Sequence, residues 1–203
     1  AFRNYIMADN YLITGTERVA AHLKALLHKT HQTSDQAFSF FHSACEIQTL
    51  APDLSNLKNF TLFYCGINWE KSIRGRKQGR FSGLLKKLEE RNLISIYGPK
   101  YFHPHGIRRI EPWKGFRSYQ FEIPFDGRSI IQQIHKHGVC LILSSLHHHR
   151  WGICSNRLYE ALAAGAVIIS DDNPFIIQNF KDSVLTFHYD QYNNKVNIEQ
   201  IMQ

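Results

Sequence analysis

The chain has 203 residues, enough for one full hydrophobic core at ~150 residues per domain plus a remainder. Its 43% apolar and 20% charged residues exclude a disordered tail or a fibre, and its longest apolar runs, 139–143 and 161–169, fall far short of the ~20 residues of a membrane span. Lys and Arg number 24 against 17 Asp and Glu, leaving +7, and 12 His add to this in mild acid, so the expected partner is an anion: nucleic acid, a membrane surface or a phosphate-bearing small molecule. Residue 1 is Ala and no signal-peptide pattern follows, so the chain is expected to come from something longer. Cys45, Cys65, Cys140 and Cys154 lack Cys-x-x-Cys spacing, which points to free thiols in a reducing, cytoplasmic compartment.

Residues 1–55 offer one strand-like piece, Asn10 to Ile13, a helix from about Glu17 to His28 and a polar stretch, His31 to Gln36. Nothing there promises paired strands or a closed core, and the pattern suits the last β-α unit and linker of a preceding domain. From 56 to 190 short apolar runs alternate with helical periodicity, the mark of a parallel sheet wrapped by helices. The runs are 60–65, 93–97, 121–123, 139–143, 167–170 and 184–187. Phe81, Leu84, Leu85 and Leu88 recur at helical spacing and leave Lys86, Lys87, Glu89 and Glu90 toward water. A second helix is predicted from about Arg128 to His137, ended by Gly138, and a third from Ser155, an N-cap residue, to Gly165. Residues 191–203 read as a polar tail.

Two segments carry candidate chemistry. The stretch 71–80 places Lys71, Arg74, Arg76, Lys77 and Arg80 between the first strand and the amphipathic helix, at the carboxyl edge where open α/β sheets bind ligands. A diphosphate suits such a loop beside a helix N-terminus, whereas a solvated surface loop is the plainer alternative. No Walker or Gly-x-Gly-x-x-Gly pattern is present, which argues against a P-loop nucleotidase and lends no support to a dinucleotide dehydrogenase. In the second segment, Glu160 is the one acid in a small, apolar helix, costly unless exposed or hydrogen-bonded. Ribose hydroxyls would satisfy it, as would Arg157 three residues back.

Residues 156–169, Asn-Arg-Leu-Tyr-Glu-Ala-Leu-Ala-Ala-Gly-Ala-Val-Ile-Ile, resemble the donor-site motif of GT-B glycosyltransferases, close to the spore-maturation type. Leu62 to Gly66 and Ile94 to Gly98 resemble the first two strands of that fold's C-terminal domain, and the likeness spans about 56 to 190. The resemblance implies the Rossmann-like, C-terminal half of a GT-B fold that holds a nucleotide-diphosphate sugar as donor substrate and needs neither cofactor nor essential metal. Glu160 would bind ribose, and Gly66, Arg74, Arg76, Arg80, Ser155, Asn156 and Arg157 would line the rest of the donor site. Many retaining members carry another Glu eight residues before the ribose-binding one, where this sequence has Gly152; one of His148, His149 and Arg150 then becomes a candidate for sugar or phosphate. The catalytic residue, sugar, base and acceptor stay unassigned, the acceptor being a glycan, a lipid-linked glycan or a protein, with peripheral membrane contact open.

Other signals read more plainly. His147 to His149, taken as strand or loop, diverge and do not converge on a metal. Asp171-Asp172-Asn173 lacks the Asp-x-Asp spacing of metal-dependent sugar transferases and reads as an Asx turn ending at Pro174. Tyr97, Tyr101, Phe102, Trp113, Phe116, Tyr119 and Phe121, interleaved with Lys100, Arg108, Arg109, Lys114 and Arg117, would suit single-stranded nucleic acid, but core packing with a basic rim is the stronger reading. The rival to a transferase domain is a non-catalytic nucleotide-binding or basic RNA-binding module.

Overall fold

The computed structural model describes residues 10–14, 17–29, 37–41, 50–51, 55, 61–68, 81–103 and 109–188. In the first part of the chain, β1 (Asn10–Thr14) leads into α1 (Glu17–Lys29) and on to β2 (Ala37–Phe41), which pairs with β1 in parallel. This corrects the expectation that residues 1–55 hold no paired strands: the aromatic run 37–41 follows the polar stretch and lacks the alternation that marks a strand. On α1, Ala20 is buried and Val19 and Leu23 are half-buried, while His22 packs its ring 4.8 Å from that of Trp151.

The main body is a five-stranded, all-parallel sheet made of β3 (Leu62–Cys65), β4 (Ile94–Tyr97), β5 (Val139–Ile142), β6 (Val167–Asp171) and β7 (Leu185–Phe187). Its order is β4-β3-β5-β6-β7. The chain leaves β3 to one side and returns on the other, so the topological switch, where open α/β sheets bind ligands, falls between β3 and β5. Strands buried on both faces read as continuous apolar runs, which explains why Val-Cys-Leu-Ile of β5 is wholly buried.

Helix α2 (Ser82–Glu90) covers one face, its Leu84, Leu85 and Leu88 packing on Leu62, Ile94, Ile96 and Leu141 together with Trp113. On the other face, α3 (Ser129–His137), α5 (Arg157–Ala163) and α6 (Pro174–Phe180) bury Ile130, Ile134, Leu158, Ala161 and Ile176 against Phe63, Cys140 and Ile168. Gly138 ends α3 in the left-handed conformation (φ 72°), as its position implies, and its N–H bonds the Ile134 and His135 carbonyls. At Gly98 (φ +145°) a Cβ would stand 2.1 Å from the Gly66 carbonyl oxygen, so only glycine lets the ends of β3 and β4 meet.

Three further expectations are corrected. Residues 121–123 form no strand; instead the backbone of 118–121 bonds to Ile96 and Gly98 along the outer edge of β4, displaced two or three residues upstream. The His run lies in a helix, α4 (Leu146–Trp151), capped by the Ser145 hydroxyl, which accepts from the His148 N–H at 3.1 Å. Glu89 faces the interior at 5% exposure, because the loop 113–119 folds over α2 and supplies it with donors.

Candidate functional site

The carboxyl edge is built by the segments that follow each strand. After β5, Ser144 turns the chain into α4; after β6, Asn173 caps α6, its side-chain oxygen accepting from the Phe175 N–H at 2.9 Å, with Pro174 in the first turn. The Asx turn read from the sequence is therefore a helix cap. Asn173 Nδ2 donates to Ser144 Oγ at 2.8 Å and to the Ile153 carbonyl at 2.9 Å, while the buried Asp171 carboxylate accepts from the Ser144 N–H at 3.0 Å. These bonds tie the β5 and β6 edges to the segment between α4 and α5, and so fix where α5 begins.

Helix α5 runs back against the sheet, so its first turn lies at the carboxyl edge. Ser155 Oγ accepts from the Arg157 N–H at 3.3 Å, the capping role its residue type suggests, while Asn156 is exposed and makes no side-chain cap bond. Arg157 Nη1 donates to Glu160 Oε2. Both side chains are about four-fifths buried (20% and 18% exposed), and the Arg157 Nε is buried with no partner among the described residues. Burial raises the Glu160 carboxyl above its ordinary value, and the Arg157 charge and hydrogen bond only partly oppose this. The Cys65 thiol, at the end of β3, is raised by burial and feels the charges of Arg157 and Glu160, which places all three together near the switch point. Cys65 was missed as a site neighbour, although a residue ending the first strand just before a glycine is a signal for that position.

Gly66 lies beside them with its backbone engaged: its N–H donates to the Tyr97 carbonyl at 3.1 Å and its carbonyl accepts from Trp113 Nε1 at 3.2 Å. His148 is half-buried on α4, its imidazole pKa lowered by burial and then by the neighbouring His147. His149 Nε2 lies 3.3 Å from Asp172 Oδ1, and Asp172 Oδ2 is 2.5 Å from His188 Nδ1. Among the described residues no group of three or more His, Cys, Asp or Glu is placed to hold a metal ion. Gly152 ends α4 with φ 60° and a carbonyl-bonded N–H, a left-handed cap that strains any other side chain and gives a physical reason for the absence of Glu there. Arg74, Arg76 and Arg80 lie outside the described residues.

The aromatic stretch packs as the plainer reading holds. Tyr97 and Trp113 are buried, Phe116 and Tyr119 pack against the core, and the Arg109 guanidinium sits 3.3 Å above the Tyr101 ring. Among the described residues no helix is long and apolar enough to cross a membrane.

No family model and no curated protein matches the chain. Among solved structures it is similar to the pneumococcal O-GlcNAc transferase GtfA in complex with UDP and GlcNAc, at 13% identity and a TM-score of 0.54 over 95% of this chain. The chain spans 37% of that protein's length. The likeness is one of fold alone: an all-parallel, Rossmann-like sheet flanked by helices.

Proposed function

We propose that this chain is the donor-binding part of a glycosyltransferase, holding a nucleotide-diphosphate sugar at the carboxyl edge between β3 and α5. One observation carries the reading: Arg157, whose buried Nε has no acceptor among the described residues, and the carboxylate of Glu160 stand together beside the switch point of a glycosyltransferase-like fold. Glu160 would accept from ribose hydroxyls, and Arg157, with Arg74, Arg76 and Arg80 of the basic stretch, would hold the diphosphate. Ser155 and Asn156 would shape the turn that presents Arg157, and the half-buried His148 is a candidate for the sugar or a phosphate. The solved relative in fold was captured with UDP and GlcNAc, which makes a uridine diphosphate sugar the first donor to try.

In transfer, negative charge grows on the departing diphosphate, and fixed cations stabilise it more than they stabilise the ground state. No metal is invoked, since Arg and Lys side chains can carry that charge. An acceptor must also be held in reacting geometry, an advantage worth ~7 to 11 kcal/mol, so these residues alone should bind donor well and transfer it poorly.

The test is a thermal-shift screen with UDP, GDP, ADP, dTDP and their sugars beside a single-stranded oligonucleotide. Stabilisation by one nucleotide class is expected. Length-dependent, salt-sensitive stabilisation by the oligonucleotide alone would overturn the reading in favour of nucleic-acid binding.

A further inference from the structure

Strands β6 and β7 run side by side with Asp171 opposite Phe187, so the next residues, Asp172 and His188, leave the sheet together at its carboxyl edge. Helix α4, which follows β5 at the same edge, brings His149 to them. One carboxylate thus lies between two imidazoles, Oδ1 3.3 Å from His149 Nε2 and Oδ2 2.5 Å from His188 Nδ1. Its neighbours in sequence, Asp171 and Asn173, bond Ser144 and the Ile153 carbonyl, and Ile153 belongs to the segment that leads into Arg157. We propose that Asp172, oriented by His149 and His188, binds the hydroxyls of the transferred sugar. The proposal rests on the nucleotide-sugar reading above and adds to it the residues that recognise the sugar.

Hydrogen-bonding chemistry selects the ligand class. An ionised carboxylate only accepts, so each imidazole turns an N–H on it, and in its neutral form keeps the other nitrogen as an acceptor. Among the described residues each Asp172 oxygen takes one such bond, and a carboxylate oxygen can accept two. Asp172 is 24% exposed and His188 74%, so the carboxylate is held by the fold while the cluster stays open on one side. A phosphate is repelled by the carboxylate, and the three groups are not placed to hold a metal ion. A pyranose ring suits them, because its adjacent hydroxyls are donors at fixed spacing and two can donate to one carboxylate. Arg157 offers a cation on one side of the 153–157 segment and Asp172 offers acceptors on the other, which matches a ligand that is anionic at one end and hydroxyl-rich at the other.

The experiment compares wild type and Asp172→Asn by calorimetry with UDP, GDP, ADP and dTDP, the glucose conjugate of each, and UDP-GlcNAc. Asparagine keeps the size of the side chain and replaces the charged acceptor by an amide. For whichever nucleoside diphosphate wild type binds, the variant should keep that affinity within about twofold and bind the sugar conjugate about tenfold more weakly. An equal change for the two ligands, or no change for either, would overturn the sugar site and leave the nucleotide reading standing. Binding of a nucleoside diphosphate but of none of its conjugates by wild type would have the same consequence. Failure of wild type to bind any of the four nucleoside diphosphates would overturn the nucleotide reading, and the sugar site with it. Should Asp172→Asn melt far below wild type, His188→Gln carries the same test from an exposed position. It removes the imidazole that orients Oδ2, and should weaken the conjugate about threefold while leaving the nucleoside diphosphate unchanged.

Discussion

Helices α2 and α5 each carry one carboxylate on a largely buried face, Glu89 and Glu160, and each has a cation three residues earlier, Lys86 and Arg157. The two outcomes are opposite. Burial pushes the Glu89 carboxyl up, but Lys86 Nζ at 2.6 Å, the Ser118 N–H at 2.7 Å and the Ser118 hydroxyl at 2.8 Å outweigh it and hold the pKa at about 2. Glu160 has Arg157 and, among the described residues, no comparable set of backbone and hydroxyl donors, and burial keeps its pKa raised. A carboxylate saturated by the fold is a structural clamp. One with a single described donor, beside a guanidinium whose Nε has no acceptor among the described residues, is free of that role.

The largest effect that can break this comparison is on stability. Glu89→Ala removes two charge-assisted hydrogen bonds from Ser118 of the 113–119 loop and one from Lys86 within α2, and is expected to lower unfolding free energy by about 3 kcal/mol in urea titrations. Glu160→Ala should cost less, about 1 to 2 kcal/mol, because the charge it deletes is one that burial opposes, although it leaves the Arg157 guanidinium without its described acceptor. Its loss should appear instead in ligand affinity, at least about tenfold for a nucleoside diphosphate by calorimetry. Equal losses of stability in the two variants would erase the distinction.

Acid sharpens the contrast because the two carboxyls move in opposite directions from the ordinary value of 4.5. Glu89 has a folded pKa of about 2, so its contribution is present above 4.5 and is lost as pH falls from 4.5 through 2. Glu160 has a folded pKa above 4.5, so its contribution is fully present below that value and is lost as pH rises through the raised one. Unfolding free energy measured against pH should therefore lose part of its acid slope in Glu89→Gln. Glu160→Gln should gain on wild type as pH rises above 4.5, by an amount smaller than the Glu89 effect. A Glu89→Gln curve parallel to wild type between pH 4.5 and 2 would count against the clamp.

The same pair shows where the sequence is informative and where it stops. Helical spacing located α2 and its apolar face correctly, but it assigned Glu89 to water by its position on the wheel. What buries Glu89 is a loop about 29 residues downstream, a contact that local periodicity cannot register. At Glu160, residue type and context raised both ribose hydroxyls and Arg157 as partners, and the fold realises the second. Strands β3, β4, β5 and β6 were legible because strands buried largely on both faces form apolar runs, and the run 184–187 marked β7 at the sheet edge, where Leu185 and Thr186 are exposed. Helices α4 and α6 were not, since six and seven residues are too few for a period to show. The clue to α6 was instead Asn173-Pro174, read as an Asx turn, which is present and also caps the helix. The strand β2 was lost for the opposite reason: an aromatic cluster after a polar stretch gives no alternation, and its pairing with β1 is settled only in three dimensions.

The smallest change that still discriminates is Arg157→Lys. Lysine keeps the charge and can reach Glu160 from the same helical position, so unfolding free energy should move by no more than about 0.5 kcal/mol, the range of ordinary changes at partly exposed ion pairs. What it cannot supply is a second nitrogen in the plane of the first, and the buried Nε of Arg157 is the donor that the fold leaves without an acceptor among the described residues. If that donor exists for a phosphate oxygen, the lysine variant should bind nucleoside diphosphates about three- to tenfold more weakly while its affinity for the corresponding nucleoside is unchanged, because a nucleoside never used that nitrogen. Equal weakening of both ligands would mean that Arg157 acts on the ribose side through Glu160, and an unchanged affinity for both would reduce it to the partner of a surface-like ion pair, with the diphosphate held elsewhere.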